Sequence, residues 1–534
     1  MSEFPASGAF RVIERLESSS RIAAALAAAT LISLATISPS RAGPHQTDAV
    51  TPLAPTGDLP FRIELQAVDV GNLELPTLHS YAAAQYDGKW VLVGGRTNGL
   101  HGFEQSGSAN FPTASQNRDL WVIDFANGQS WHRALDEAAT GLSGEEVAAL
   151  TSSNNQFAQV GDRLYTVGGY GERAGGGLGT MDALTAVDLP GIVAWAMGGA
   201  GTAADHVRQT TDARLTLTGG AMYELNGRMQ LVLGQNFAGG YSPSKTGAYT
   251  QQIRSFEIVD DGATLGVANW DETVPDEAFR RRDLNVFPVL RPDGAGGEEE
   301  GLAVLSGVFT PDNGAWTVPI EINATGVPSM ADPTAADTFK QGFNGYHSAK
   351  LGLYSQTTGA MHEVLFGGIS LQFRDEATGD IVTDDNFPFV NDVTAVSVDA
   401  AGEYAQRHLG YFPEILDQTD KRLRFGANAE FFLDGATPVF ANGVIDLDAV
   451  TGATTLGYVF GGLASNSPHT RGVADAISGA SNRVFAVVIT PVPEPATALL
   501  AALAFAASGT GSTIRRRYVR CSRRNRDGVL PTHF

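Results

Sequence analysis

Short apolar runs recur along the chain, and each ends at a glycine pair that is followed by a polar loop. In the clearest copy, an apolar run at 89–93 leads into Gly94 and Gly95, a second apolar run follows at 119–124, and Trp131 comes after it. Short runs rich in Val, Leu and aromatic residues predict β-strands, and a glycine at a strand end lets the backbone turn without a Cβ clash. The pattern therefore predicts an all-β protein built from a repeated unit.

Six copies of this unit can be traced. The third has a single glycine, Gly234, and we interpret it as having lost the second glycine of the pair, while the fourth copy is the most degenerate. The first strands with their glycines are at 89–95, 163–169, 231–235, 302–307, 364–368 and 458–462. Second strands follow in five copies at 119–124, 183–188, 254–259, 392–398 and 483–488, and the first three copies add Trp131, Trp195 and Trp270.

The repeats resemble kelch repeats, which fold as four-stranded blades of a β-propeller, and the resemblance covers most of residues 61–490. It implies six blades; a seventh would need a degenerate copy hidden within 372–425. The alternative is a β-sandwich or β-helix with glycine-rich turns, but such folds rarely repeat one order of elements six times. Glycine pairs lie 61 to 94 residues apart, more than the roughly 50 of a typical repeat, so long loops are expected to project from the blades.

The two ends of the repeat region predict how the ring closes. The last copy's strand at 484–489 runs straight into Pro491, which leaves that blade one strand short, and a strand-like segment at 61–68 precedes the first copy. We expect this N-terminal strand to complete the last blade, because such pairing removes open sheet edges. The C-terminal tail would then leave from the point of closure.

The N-terminal region predicts export. Residues 22–37 form an apolar run preceded by Arg11, Arg15 and Arg21, and Ser40-Arg41-Ala42 gives a small-x-small cleavage pattern. Residues 1–42 therefore resemble a secretory signal peptide, with 43–60 as a linker. A lone transmembrane helix is the alternative, although the run is short for a membrane span.

Residues 491–534, at the C-terminus, contain a second predicted targeting signal. Pro493-Glu494-Pro495 is followed by an apolar stretch at 496–514 and then by Arg515, Arg516 and Arg517. This order resembles the PEP-CTERM sorting signal of exported Gram-negative bacterial proteins, which implies processing by a membrane-embedded exosortase. The stretch would rise about 28 Å as a helix, close to the bilayer core, although its second half is polar. An ordinary Ala-rich helix with a basic end is the alternative.

The net charge and the cysteine content exclude several classes of function. Residues 43–495 carry 25 Lys and Arg against 54 Asp and Glu, a net charge near −29. Such a surface repels polyanions, so nucleic acid is not an expected partner. The only cysteine, Cys521, lies in the tail. The repeat region can therefore form no disulfide, thiolate metal site or cysteine nucleophile, and the tyrosine–cysteine crosslink of galactose-oxidase-type kelch enzymes is excluded.

Candidate chemistry is sparse, and no catalytic residue can be assigned. His79 and His347 each begin the innermost strand of a copy, and Arg282 occupies the corresponding place in the fourth. These three are candidate ligand-binding residues at the channel mouth, and an arginine there could clamp a carboxylate. The alternatives are a histidine bonded to neighbouring backbone, and an arginine turn that is solvated or paired with Asp276 and Glu277.

No cofactor is predicted, and Ca²⁺ is only a weak candidate. The acidic segments around Asp375, Asp380 and Asp384 offer oxygen ligands, but their spacing fits no defined calcium loop, and a solvated acidic loop is the alternative. Two His four residues apart on a helix and a phosphate loop followed by Lys are both missing from the sequence.

Taken together, these features predict an exported propeller of the cell envelope or extracellular matrix, held transiently at the membrane by its tail. It is expected to bind an exopolysaccharide or an envelope protein without catalysis. The alternative is a secreted glycan-acting hydrolase or lyase with its site at the propeller channel. Convergence of titratable side chains in one pocket would favour the enzyme.

Overall fold

The repeats fold as blades around a central axis. The computed structural model describes residues 50–102, 107–242, 247–469 and 477–492. Within these ranges, six sheets, each built on four antiparallel strands, form a six-bladed β-propeller, so the predicted all-β class and blade number are confirmed. Residues 372–425, where a seventh blade could have been hidden, supply a small hairpin and the two outer strands of the fifth blade.

Each blade is described from its innermost strand outward. Blade I contains Ala82–Tyr86, Lys89–Val93, Asp119–Asp124 and Gln129–Ala134; blade II contains Gln156–Val160, Arg163–Val167, Ala183–Asp188 and Val207–Thr211; blade III contains Ala221–Leu225, Arg228–Val232, Ile253–Asp260 and Leu265–Glu272. Blade IV contains Asn285–Pro292, Glu298–Leu305, Ile320–Ile322 and Pro328–Met330; blade V contains Ala349–Ser355, Ala360–Ile369, Phe389–Val398 and Tyr404–Tyr411; blade VI contains Ala429–Leu433, Thr454–Gly461, Val484–Pro491 and Phe61–Ala67.

Smaller elements decorate the connections, as the long spacing between glycine pairs predicted. Two-stranded hairpins pair Tyr170–Glu172 with Leu178–Thr180, Gln235–Asn236 with Ala248–Tyr249, Gln372–Arg374 with Ile381–Thr383, and Leu463–Ser465 with Ser478–Ala480; Ile445–Asp446 adds a short parallel strand to blade V. The α-helices are Gly107–Asn110, Gly144–Leu150 and Leu189–Ala196; 3₁₀ turns are at Thr56–Asp58, Thr113–Ser115, Ala138–Thr140, Ala203–His206, Ala213–Leu215, Glu277–Phe279 and Leu447–Ala449.

The N-terminal strand closes the ring as the sequence predicted. Phe61–Ala67 pairs antiparallel with Val484–Pro491, in register from Phe61 opposite Pro491 to Ala67 opposite Phe485. Its side chains alternate, so Phe61, Ile63 and Leu65 are buried while the residues between them are exposed. This is the pattern expected of an outermost strand with one covered face.

The central strands of a blade are buried along nearly their whole length because other blades pack against both of their faces. All of Phe389–Val398 is buried, and so is all but the first residue of Asp119–Asp124. Trp90 shows the packing between blades, since it stacks on Phe432 of blade VI with ring centroids 4.4 Å apart. Truncating a buried aromatic of this kind typically costs about 3–5 kcal/mol. Continuous apolar runs with glycine ends were therefore the correct signal for blade strands.

Two details of the predicted repeat are wrong. Trp195, interpreted as the aromatic that follows a second strand, lies in the helix Leu189–Ala196, where the Asp188 side chain caps the N-terminus and Trp195 is buried. The innermost strands of blades I, IV and V begin at Ala82, Asn285 and Ala349, later than predicted. The residues just before them adopt left-handed backbone conformations, which interrupt the strand.

The described residues do not test the two predicted targeting signals. The predicted signal peptide at 1–42, the motif Pro493-Glu494-Pro495 and Arg515 to Arg517 lie outside the described residues. Among the residues that are described, no helix is long and apolar enough to cross a membrane.

Candidate ligand-binding channel

One end of the central channel is closed by backbone. A residue with φ between 48° and 67° stands one or two positions before each innermost strand, where it can aim its peptide groups across the axis. These six residues are Ser80, Asn154, Gly219, Asp283, His347 and Asn428. Gly, Asn and Asp tolerate this conformation most readily, which explains four of the six.

Backbone hydrogen bonds join these residues from blade to blade. The N–H of Asn428 donates to the His347 carbonyl (2.6 Å), Ser80 to Asn428 (3.1 Å), Asn154 to Ser80 (3.0 Å), Gly219 to Asn154 (3.4 Å) and Asp283 to Gly219 (2.7 Å). Between blades IV and V, the Asn285 side chain makes the connection: its Nδ2 donates to the Gly345 carbonyl (2.8 Å) and its Oδ1 accepts from the Ser348 N–H (3.1 Å). The space lined by Asn155 and Gly220 on one side of these bonds is separate from the space lined by Asn154 and Gly219 on the other, so the bonded backbone divides the axis. We call this end the ring.

In five of the blades, the glycine pair ties the second strand to the segment of the next blade that leads into this ring. The second residue of the pair donates its N–H to the next blade, from Gly95 to the Ser152 carbonyl (3.0 Å) and from Gly169 to the Leu217 carbonyl (2.9 Å), for example. Gly234 makes the same bond, to Arg281 (3.1 Å), with φ of 87°. Gly234 is therefore the second residue of its pair and Leu233 replaces the first, so the prediction that blade III lost its second glycine is wrong.

The other end of the channel is open and is lined by side chains. A cavity of about 650 Å³ extends from the ring to the opposite face. His347 and Asn155 lie near its closed end, while Glu224, Asn226 and Asn442, from the far ends of strands and loops, surround its mouth. The channel is therefore a blind pocket, and its volume lies in the usual range for small-molecule sites.

Three ionisable side chains from three blades meet in this pocket. Tyr223 comes from blade III, Lys350 from blade V and Glu430 from blade VI, and all three also line an adjoining space of about 260 Å³. The Tyr223 hydroxyl donates to the Val286 carbonyl at 2.9 Å. Their convergence places one ammonium group, one carboxyl group and one phenol in the same part of the channel.

Burial shifts the protonation of this group. Desolvation raises the pKa of Glu430 to about 7, and the Lys350 charge only partly opposes that rise. Burial acts to lower the pKa of Lys350, but Tyr223 and Glu430 outweigh it and hold that pKa above its usual value. Desolvation also raises the pKa of Tyr223. At neutral pH the channel therefore contains a charged ammonium group, a neutral phenol and a carboxyl group that titrates.

The two predicted histidines lie at the ring. His79 is buried, with Nδ1 2.9 Å from Ser80 Oγ, and burial together with the Arg96 charge lowers its pKa to about 3. His347 lines the closed end of the channel, and burial lowers its pKa as well. Asn428 stands between them: its backbone donates to His347, and its Nδ2 donates to Ser80 Oγ at 2.7 Å. Both imidazoles are therefore neutral at pH 7.

Arg282 lies beyond the ring and is separated from the open channel. It lines a space of only about 50 Å³ with Tyr170 and Tyr241. Its Nε is 3.6 Å from Asp283 Oδ2, and its Nη2 donates to the Tyr241 hydroxyl at 3.3 Å. Burial opposes its charge, but Asp283 keeps the pKa of Arg282 above its ordinary value. The structure thus brings His79, His347 and Arg282 to one ring, but on different faces of it.

The neighbouring arginines have partners other than the predicted acids. Arg280 stacks over the Tyr249 ring at 4.1 Å, and the buried Arg281 stacks over Trp316 at 4.6 Å. Arg281 Nη1 also donates to the Ser306 and Val318 carbonyls. Asp276 accepts from the Ala278 N–H, so it caps the turn at Glu277–Phe279.

The acidic segments considered for Ca²⁺ are occupied by local contacts. Asp375 accepts from the N–H groups of Ala377 and Thr378, and Asp384 lies 2.9 Å from His469 Nε2. In the described part of the chain, no group of three or more His, Cys, Asp or Glu residues is arranged to hold a metal ion. Ca²⁺ binding stays a prediction.

The sequence interpretation missed Tyr223, Lys350 and Glu430. It considered the residues that start the innermost strands, whereas the channel is lined by residues within those strands. A usable signal was present, since Lys350 stands alone as a charge in Ala349–Ser355 and Glu430 does so in Ala429–Leu433. A lone charge in a short apolar strand next to the axis predicts a channel-facing side chain.

Comparisons with known proteins give a structural likeness only. No family model matches the chain, and no curated protein does. Among solved structures, the chain is similar to one entitled "Structure of YjhT", with 10% sequence identity, a TM-score of 0.41, and coverage of 79% of this chain and 100% of that chain. The class of protein, a six-bladed β-propeller, therefore rests on the blades themselves.

Proposed function

We propose that this protein is an exported, kelch-type β-propeller that binds a carbohydrate in its blind channel without transforming it. The observation that carries the proposal is the channel itself: a cavity of about 650 Å³, closed by the ring at one end and lined by amide, carboxyl, phenol and ammonium groups. A preformed cavity with a few convergent polar groups is the usual form of a small-molecule site.

The mixture of donors and acceptors favours a polyhydroxylated ligand. Lys350 offers donors, Glu224 offers acceptors, and Glu430 offers either according to its protonation, which suits sugar hydroxyls. Ala83 and Phe157, both half-buried, supply apolar surface for the C–H faces of a sugar ring. The carboxylates at the mouth and the acidic chain as a whole disfavour a strongly anionic ligand. A neutral or weakly charged sugar therefore suits the channel best.

Kelch identity and export rest on sequence. The strand, glycine-pair, strand order supports kelch repeats, and the signal-like N-terminus with Pro493-Glu494-Pro495 supports secretion and exosortase processing. Val492, the last described residue before the motif, donates its N–H to the Pro60 carbonyl at 2.7 Å. A tail beginning there would leave from blade VI, where the ring closes. An exopolysaccharide or an envelope protein is the proposed partner in the envelope or matrix.

Binding can be tested on the purified protein with a glycan array followed by calorimetric titration of the best ligand. Ala83 is half-buried in the innermost strand of blade I and lines the channel. Ala83→Phe should fill the channel and weaken binding more than tenfold, whereas Ala263→Phe, in an exposed turn of blade III, should not. Equal affinity of both variants and the unmodified protein would place the ligand elsewhere and overturn the proposal.

Sorting needs a separate test. Replacing Pro493, Glu494 and Pro495 with alanines should leave the tail unprocessed, so that the protein stays in the membrane fraction at a larger mass. Identical size and location of the two forms would refute the sorting proposal and leave the binding proposal intact.

One observation favours a second candidate, a glycan-acting hydrolase or lyase. Glu430, with its pKa near 7, can donate or accept a proton at neutral pH, and it shares the channel with Lys350 and Tyr223. Turnover of a bound glycan that Glu430→Gln abolishes, while affinity is kept, would establish the enzyme. Binding with no product from any ligand would exclude it.

A further inference from the structure

A second cavity lies on the outside of the molecule, at the seam where the N-terminal strand closes the ring. Its volume is about 500 Å³, and it is separate from the channel. Leu59 and Pro60 bound it on one side, the outer strands of blade V on another, and Val492 on a third. We call it the seam cavity. Only closure of the ring by a distant segment brings these walls together.

The inner wall of the seam cavity presents polar atoms that have no partner. His362 is only 4% exposed, and its Nδ1 lies 2.8 Å from Ser397 Oγ, the residue opposite it in the sheet. Its Nε2 and the Nη1 of Arg407 are both buried and find no hydrogen-bond partner among the described residues. Leaving buried polar groups unpaired is costly. Two such groups at one cavity wall leave hydrogen-bonding capacity that a polar ligand can use.

The rest of the wall specifies the chemistry of the occupant. Arg407 can only donate, so it requires an acceptor oxygen. His362 accepts or donates according to its tautomer, and a hydroxyl satisfies either form. Asp58, Asp399 and Glu403 are exposed around the rim, so they favour hydroxyl or ammonium donors and repel a free carboxylate. Vicinal hydroxyls can accept from Arg407, bond to His362 in either tautomer and donate to the acidic rim.

The remaining lining is apolar and suits the C–H face of a ring. Leu59, Pro60, Ala360 and Ala405 all line the cavity. The Phe61 ring meets His362 edge-on, with centroids 5.1 Å apart, and so holds the imidazole in place. The wall is therefore fixed before any ligand arrives, which lowers the cost of binding.

We propose that the seam cavity is a second carbohydrate subsite, specific for neutral or amino sugars, so that one propeller engages a polysaccharide at two separate places. The inference rests on the proposed function for the class of ligand, but not for the site. Two subsites on one rigid body raise the affinity for a polymer well above that for a single sugar unit, provided the polymer can span both.

The test uses the purified full chain and ligand-observed NMR with glucose, galactose, N-acetylglucosamine, glucosamine and glucuronate. Ala360→Phe fills the seam cavity from a half-buried position without removing a polar group, and Ala83→Phe fills the channel in the same way. Each single variant should lose one part of the sugar signal, and the double variant should lose both. Arg407→Met should weaken the seam component about tenfold, the loss expected for one charged hydrogen bond.

Each possible result supports or overturns the channel proposal, the seam proposal or both. If Ala83→Phe alone abolishes binding of every sugar, the seam inference fails and the channel function stands. If Ala360→Phe alone does so, the channel proposal fails and the seam site stands. Stronger binding of glucuronate than of glucose to the Ala83→Phe variant would overturn the assigned ligand class. Absence of binding to any of the five sugars would overturn both.

Discussion

Backbone groups form one end of the central channel, and side chains form the other. The ring is made of backbone, with six left-handed residues and the glycine pairs joined across the blades by N–H to carbonyl bonds. The open end is made of side chains, such as Glu224 and Asn442, which project from turns and strand ends. Backbone geometry permits few residue types, whereas a channel mouth accepts many. The ring therefore governs stability, and the open end is free to determine what binds.

The largest effect is expected where the ring meets a glycine pair. A Cβ at Gly168 would collide with the Leu217 carbonyl of the next blade, and its φ of +65° already disfavours a side chain. We expect Gly168→Ala to lower the free energy of unfolding by at least about 3 kcal/mol, measured by chemical denaturation.

The matched control is Gly161→Ala in the same blade. Gly161 has φ of +55° but no atom within 4 Å of an added Cβ, so only backbone strain remains, worth about 1–2 kcal/mol. Equal losses for the two variants would mean that contact between blades contributes nothing, and the comparison of the two ends would fail.

A second effect is expected at the blade IV–V junction, where a side chain replaces the backbone link. Asn285 is fully buried, and Asn285→Ala removes two hydrogen bonds to backbone. The loss should be about 2–3 kcal/mol, because the buried Gly345 carbonyl is left unpaired. Asn442→Ala at the channel mouth should cost less than about 1 kcal/mol by the same measurement. A larger loss at Asn442 would show that the open end also stabilises the fold.

A further effect should appear in the pH dependence of stability. Because burial raises the pKa of Glu430 to about 7, the folded protein holds this proton more tightly than the unfolded chain, whose Glu pKa is about 4.3. The contribution of Glu430 to stability is therefore present below pH 4 and is lost as the pH rises from about 4.3 to 7.

Glu430→Gln should flatten this part of the curve of melting temperature against pH. An identical slope in the Glu430→Gln protein and the unmodified protein would show that the channel does not desolvate Glu430.

The smallest effect is expected at the turns of the open end. Lys89 Nζ lies 3.0 Å from Asp87 Oδ2, and the Asp87 side chain is 77% exposed. Asp87→Asn keeps a residue that tolerates the left-handed φ of 49° at this turn, so only the exposed ion pair is lost. We expect a change below about 0.5 kcal/mol. A loss above 1 kcal/mol would place part of the stability at the open end.

Much of the architecture could be predicted because strand ends and sheet edges depend on residues that are close together in the sequence. Gly94-Gly95 and Gly168-Gly169 mark strand ends, since few other residues fit their φ values and close contacts. Strand 61–67 could be assigned to the last blade because a sheet edge needs a partner. Leu233 shows the limit of such rules: it holds φ of 56° despite its side chain, so a pair that has lost one glycine does not reveal which one is missing.

The candidate sites could be predicted only in part. His347 was identified because it was predicted to begin an innermost strand; that strand begins at Ala349, but His347 does lie at the closed end of the channel. His79 shares that place in the sequence, yet its imidazole is turned toward Ser80 within the ring. The direction of a side chain beside the axis depends on neighbouring blades, which local sequence does not specify.

By itself, then, the sequence determined the repeat, the all-β class, the number of blades and the strand that closes the ring, because each follows from backbone geometry and apolar periodicity within short segments. Only the tertiary structure decided that the channel is blind, that Tyr223, Lys350 and Glu430 meet inside it, and that His362 and Arg407 share a cavity with the N-terminal segment. Folding brings Tyr223 to Glu430 across about 200 residues of chain and the N-terminal segment to His362 across about 300, and no local pattern of residues records which ones will face each other.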